Sequence, residues 1–258
     1  MGSTNQELAE PRFVTRLFFC YRFNMLCTII IEGKETRVKS HANLLWAALD
    51  NGFFIPNLCS IMDKPRQYAS CRLCFVEIGG RPEPITACTE KAQDGMVIHV
   101  YTPRIARLRR TAFDLLLSNH RLDCAHCVKN RNCELQRIAD AEHFKLRGRR
   151  FNKIDLNLPL DVSHPLINFD RNKCVLCGKC VWACQTQGSS VLDFAYRGIK
   201  TTISTFAGIP LAETECNSCM ACTSVCPVGA LYLKSLLPGA RPNEGHKPAA
   251  AQPLHSVS

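Results

Sequence analysis

The apolar positions change period several times along the chain, and each change predicts an element. Residues 1–24 begin polar and become apolar and basic, with no period that defines a module. Met25 to Ile31 is apolar and β-branched, Glu32-Gly33 marks a turn, and Glu35 to Lys39 alternates, so the pattern predicts a β-hairpin. Ser40 reads as a helix N-cap before His41–Asn51. There Leu44, Leu45, Ala48 and Leu49 recur at helical spacing, and Gly52 is the stop signal. Further strands are predicted at Phe75–Ile78, Ile85–Cys88 and Met96–Val100, with Gly79-Gly80 as a turn. Pro103 to Asn119 reads as a helix, with Pro103 at its first position. Its apolar stripe would be Ile105, Leu108, Ala112, Leu115 and Leu116, and Arg104, Arg107, Arg109 and Arg110 a solvated basic face. Glu134 to His143 continues as helix, and Arg147 to Arg150 is a basic linker. Val191 to Phe206 holds strand-like segments broken by Gly198, and Val228 to Leu233 is a last strand or short helix. From Pro238 the Pro-, Ala-, Gly- and Ser-rich composition predicts a disordered tail.

Cysteine changes this picture. The 258 residues include 17 cysteines, gathered in C-x2-C groups that suit metal ligation in a reducing cytoplasm better than disulfides. The densest stretch runs from Cys174 to Cys226 and reads CVLCGKCVWAC, then CNSCMACTSVCP. Each half is C-x2-C-x2-C-x3-C, the spacing with which two cubane [4Fe–4S] clusters exchange their fourth ligands. The expected sets are Cys174, Cys177, Cys180 with Cys226, and Cys216, Cys219, Cys222 with Cys184. Zinc also binds C-x2-C pairs, but a zinc site closes with four ligands, and two complete four-cysteine runs fit cubanes better.

Two further groups lie upstream. Cys59, Cys71, Cys74 and Cys88 are spaced C-x11-C-x2-C-x13-C. The close pair and distant fourth cysteine match a plant-type [2Fe–2S] site, although the first gap is longer than the usual four residues; a four-cysteine zinc site is the alternative. His120, Cys124, Cys127 and Cys133 are spaced H-x3-C-x2-C-x5-C, which suits either a histidine-ligated [4Fe–4S] cluster or a Cys3His zinc site. His126 competes for the histidine role but sits inside the C-x2-C loop, and His41 reads as a helix-start residue. The four sites use fifteen cysteines and one histidine, leaving only Cys20 and Cys27, a surface and a core cysteine. Independent zinc sites or disulfides have no reason to divide the cysteines so completely.

The formal charge of +10 counts every cysteine as a neutral thiol. Four oxidised clusters on fifteen thiolates would bring the holoprotein down to roughly +3. The basic excess therefore gives little reason to expect nucleic-acid binding. No run of about 18 apolar residues occurs, so no membrane span is expected. No G-x-G-x-x-G follows a strand, and neither a nucleophile–base pair nor a carboxylate pair stands out.

From Met25 to Leu233 the chain resembles the N-terminal iron–sulfur region shared by [FeFe]-hydrogenases, NAD(P)-linked formate dehydrogenases and the large iron–sulfur subunit of respiratory complex I. The phrases IPNLCS, CRLCFVEIGG, the His120–Cys133 run with CELQ, and CNSCMACTSVCPVGAL carry the resemblance. It implies an α+β chain: an extension at 1–24, a β-grasp [2Fe–2S] domain at 25–102, a small helical His/Cys3 [4Fe–4S] domain at 103–150, a two-cluster [4Fe–4S] ferredoxin-like domain at 151–237 and a tail at 238–258. The implied cofactors are one [2Fe–2S] and three [4Fe–4S] clusters. The chain ends soon after Leu233, and no catalytic domain of the larger relatives is expected within it. The implied function is electron relay in a hetero-oligomeric complex. The expected partners are a flavin-containing NAD(P)H subunit and a second redox subunit: a hydrogenase, a formate dehydrogenase or a ferredoxin-linked transhydrogenase, with or without electron bifurcation. An iron–sulfur redox sensor or scaffold is the rival reading.

Overall fold

The computed structural model describes residues 26–147 and 150–237. The expected N-terminal extension, Cys20 and the expected tail lie outside the described residues. The chain divides into two units. One takes the described residues up to Ile55 together with Cys74–Ala106, the other Pro56–Leu73 and the described residues from Arg107 onward.

In the first unit, β1 (Leu26–Ile31) and β2 (Lys34–Lys39) form the expected hairpin. Glu32 and Gly33 both adopt positive φ, 49° and 78°, as a two-residue turn matched to strand twist requires. Alternation buries Cys27, Ile29 and Ile31 on one face. With β3 (Phe75–Ile78), β4 (Ile85–Thr86) and β5 (Val97–His99) the sheet has the order β2-β1-β5-β3-β4. Strands β1 and β5 pair parallel and the other neighbours antiparallel. This is the mixed sheet of a β-grasp domain.

Two expectations change here. Helix α1 is Leu44–Asp50, shorter than His41–Asn51, and its cap is Asn43 rather than Ser40. The Asn43 carboxamide oxygen accepts from the Leu45 and Trp46 amides at 3.1 and 3.4 Å, while its Nδ2 donates to the Cys88 carbonyl at 2.5 Å. Asn43 thus starts the helix and holds a cysteine-bearing segment, a double task that a serine at position 40 cannot perform. His41 takes φ 61° in the preceding turn. Second, β4 stops at Thr86, and Ala87–Thr89 is a 3-10 turn. The Thr89 hydroxyl donates to the Thr86 carbonyl at 2.9 Å and closes that turn around buried Cys88.

Helix α2 (Pro103–Asn119) has the expected bounds and buries Ile105 and Ala112 of the expected stripe, but its faces differ in part. Phe113 and Leu117 are buried, Leu115 is 50% exposed, and Arg109 is only 1% exposed. Arg109 lies 3.1 Å from Glu142, so a buried ion pair replaces a solvated arginine. In the second unit, α3 (Glu134–Ala141) buries Leu135 and Ile138. Strand β6 (Ile167–Phe169) pairs antiparallel with β9 (Leu231–Leu233), and β7 (Asp193–Ala195) with β8 (Thr202–Ser204). Helices α4 (Lys179–Thr186) and α5 (Ala221–Val225) follow the two cysteine loops. The core of this unit mixes Phe113, Ile138, Phe169, Val181 and Leu231 with Cys59, Cys71, Cys174, Cys177, Cys180, Cys184, Cys222 and Cys226. Hydrophobic core and candidate ligands are one cluster.

Candidate metal centres

The repeated cysteine spacing produces a repeated backbone. In the first run Leu176 and Gly178 have φ 53° and 74°, and in the second Ser218 and Met220 have φ 56° and 59°. Left-handed residues curl each loop so that successive amides turn inward toward the thiols. The Leu176 amide donates to Cys174 Sγ at 3.4 Å, and the Ser218 amide to Cys216. Gly178 and Met220 are the N-caps of α4 and α5, placing Cys180 and Cys222 in a helical first turn.

Cys174, Cys177, Cys180 and Cys226 line one cavity together with Phe169, Ile203 and Val228. Burial pushes the Cys177 thiol up to about 12 and raises Cys174 and Cys180 strongly. Cys226 donates its thiol proton to the Val228 carbonyl at 3.0 Å, a bond open to the protonated form alone. Buried thiolates without compensation are costly, so a cationic metal core is the group this donor set suits. Cys222, likewise pushed up to about 12 by burial, feels the charges of Cys216, Cys184 and Cys219. Here the environment differs, since Cys216 is half-buried and Cys219 exposed.

A second cavity is lined by His120, Cys124, Cys127 and Cys133, with Lys173 and Gly229. His120 is buried, and its Nδ1 lies 2.8 Å from the Lys173 carbonyl. Desolvation lowers its pKa, so the imidazole is neutral, donates from Nδ1 and leaves Nε2 as a free donor atom. Gly229 is a steric necessity: a Cβ there would stand 2.5 Å from Cys127 Sγ. His126 is 84% exposed at its side chain, 2.8 Å from Asp123, and does not line the cavity. The same loop reaches the first run, because Lys173 precedes Cys174 and the Asn119 amide group donates to the Cys174 carbonyl at 3.5 Å.

Of the remaining four cysteines, Cys59 and Cys71 lie in the second unit and Cys74 and Cys88 in the first. The Cys59 and Cys71 sulfurs are 3.4 Å apart, close to the about 3.8 Å expected for two thiolates bound tetrahedrally to one metal at about 2.3 Å. The contact with Cys71, one proton shared between the two sulfurs, holds the Cys59 thiol below its ordinary value against its burial. Among the described residues no three His, Cys, Asp or Glu side chains converge on a single ion position. Two of the donor sets ring cavities instead, which suits clusters whose irons each take one protein ligand.

The sequence reading missed the supports of these sites. The long gap between Cys59 and Cys71 folds as an arm. The Gln67 carboxamide closes it, bonding Ile61 N at 2.9 Å, Ile61 O at 2.6 Å and Lys64 O at 2.7 Å. Lys64 Nζ lies 4.5 Å from the Tyr68 ring centroid and 4.2 Å from that of Trp182 on α4. The Tyr68 ring occupies the space where a Gly178 Cβ would sit, 2.6 Å from its Cε2. The arm thereby covers the first cysteine run, and Cys59 raises the pKa of Cys177 through its charge. The unusual gap length was the available signal.

Three family models match in chain order. They are a 2Fe-2S iron-sulfur cluster binding domain over residues 25–103, the NADH-ubiquinone oxidoreductase-G iron-sulfur binding region over 109–144 and a 4Fe-4S dicluster domain over 173–230. The NADP-reducing hydrogenase subunit HndD of Solidesulfovibrio fructosivorans is 35% identical over 80% of this chain and 36% of its own length. The alpha chain of the NADPH-Fe(3+) oxidoreductase of Geobacter sulfurreducens is 33% identical over 81% of this chain and 24% of its own. The chain thus spans about a third or less of these curated relatives. A chain in the crystal structure of NAD+-reducing [NiFe]-hydrogenase in the H2-reduced state superposes with a TM-score of 0.75 at 30% identity, covering 83% of this chain and 90% of that one. With its [2Fe–2S] domain followed by [4Fe–4S] domains, the chain belongs to the family of iron–sulfur electron-transfer subunits shared by hydrogenases, formate dehydrogenases and the large iron–sulfur subunit of complex I.

Proposed function

We propose that this chain relays single electrons through one [2Fe–2S] and three [4Fe–4S] clusters, between a flavin-containing NAD(P)H subunit and a second redox subunit of a cytoplasmic hetero-oligomer. The carrying observation is that two cavities are lined by the sequence-derived ligand sets, His120/Cys124/Cys127/Cys133 and Cys174/Cys177/Cys180/Cys226. Cys184, Cys216 and Cys219, each within electrostatic reach of Cys222, would hold the third cubane with it. Cys59, Cys71, Cys74 and Cys88 would hold [2Fe–2S], a set supported by spacing and by the Cys59–Cys71 separation.

Bound clusters supply one-electron oxidation and reduction; the residues set where and at what potential. Cys174 and Cys177 form a junction, one joined through Lys173 to His120, the other beside Cys59. His120 offers a neutral nitrogen where the other sites offer thiolates, which favours the reduced state of its centre. Exposed Cys219 makes its site the natural contact with the second redox subunit. The names of the relatives, an NADP-reducing hydrogenase subunit and an NADPH-Fe(3+) oxidoreductase chain, support an NAD(P)H-linked complex.

The test uses the purified, anaerobically reconstituted chain. It should show no hydrogen, formate or NADH turnover alone, yet be reduced when the co-purifying flavin subunit and NAD(P)H are added. Turnover by the chain alone would sink the proposal.

A further inference from the structure

His164 is a buried histidine outside every ligand set, only 3% exposed. Its Nδ1 accepts hydrogen bonds from the Leu166 and Ile167 amides at 3.1 and 3.2 Å, so that nitrogen carries no proton. Nε2 must then carry it, and Nε2 lies 3.1 Å from the Ser218 hydroxyl. Ser218 stands between Cys216 and Cys219, in the left-handed conformation at φ 56°, and its amide donates to the Cys216 sulfur. The neighbours of His164 grip the same loop from its other end. Asp161 accepts from the Leu211 amide at 2.9 Å, and the Ser163 hydroxyl accepts from the Ala212 amide at 3.1 Å. Residues 161–164 thus clasp residues 211–218. In the first run the corresponding left-handed residue is Leu176, whose side chain offers no polar atom for such a clasp.

We infer that His164 is a positioning residue for the solvent-facing cluster site: by fixing Ser218 it keeps the Ser218 amide on Cys216 Sγ and so sets that centre's reduction potential. Hydrogen bonds to cluster sulfurs disperse thiolate charge and favour the reduced state. A serine held in the left-handed region is strained and needs an anchor, which the imidazole supplies. This inference rests on the assignment of Cys184, Cys216, Cys219 and Cys222 as ligands of one cubane.

The discriminating variant is His164→Asn. An asparagine oxygen can still accept from the amides two and three residues on, preserving the 164–167 turn, but the shorter side chain cannot reach Ser218. Ser218→Ala removes the same bond from the other side. In EPR-monitored redox titrations of the reconstituted full chain, each variant should lower the potential of one cubane and leave the others in place. The expected change in its reduction equilibrium is on the order of tenfold, about 59 mV for one electron. The double variant should shift no further than either single one. A wild-type potential at that centre in both single variants overturns the inference. Absence of a third cubane signal in the unsubstituted chain overturns the ligand assignment beneath it, a distinct result.

Discussion

The two C-x2-C-x2-C-x3-C runs share spacing and backbone but not surroundings. Both curl through two left-handed residues into a short helix. In the first, every member of the proposed set is buried. In the second, Cys184 and Cys222 are buried while Cys216 is half-buried and Cys219 exposed. The difference comes from elsewhere in the chain: Tyr68, on the arm between Cys59 and Cys71, roofs Gly178 and the first run. A local motif fixes the loop, and distant packing decides whether it becomes an interior junction or an accessible end.

Removing one thiol from each run gives the sharpest contrast. Cys177→Ala should lose one cubane and destabilise the fold by more than about 4 kcal/mol, because it empties a ligand position inside the core. Cys219→Ala should also lose one cubane, at a clearly smaller stability cost, since its side chain supports no core. Iron content with thermal melting of both variants checks this; equal losses of stability would erase the distinction.

The αL positions give a medium effect. Gly178→Ala combines φ 74° with a Cβ 2.6 Å from the Tyr68 ring, and should cost about 2–4 kcal/mol. Met220→Gly, at the equivalent place, relieves a left-handed residue but removes a side chain packed against the core, and should cost less than about 2 kcal/mol. Chemical denaturation of the two variants measures the pair.

The smallest effect is in pH. Cys177 and Cys222 start at about 12, so iron binding must expel their protons. Each group protonated before binding and ionised after it makes affinity rise with pH. Cys59, held below the ordinary thiol value by its contact with Cys71, adds less to that slope. Reconstitution followed separately for cubane and [2Fe–2S] signals between pH 7 and 9 should show the steeper rise for the cubanes; equal slopes would argue against the burial contrast.

The hairpin, α2 and the repeated cysteine runs were legible because each depends on short-range pattern. The faces of α2 were legible only in part: Ile105 and Ala112 are buried as the spacing implied, but Arg109 is buried because Glu142, 33 residues on, meets it. The helix start moved to Asn43 because Cys88, 45 residues away, needed its amide. His120 was legible from its company of three cysteines, whereas His164 had no spacing to betray it. Its partner Ser218 is 54 residues downstream. The C-x11-C gap was visible as an anomaly, but the cation–aromatic stack that fills it joins Lys64 to Trp182 across the fold.

The most direct test of the whole account is metal analysis with EPR on the anaerobically reconstituted chain. Four centres require about 14 iron atoms per chain, one [2Fe–2S] signal and three distinct cubane signals. Iron near four with zinc present would contradict the account.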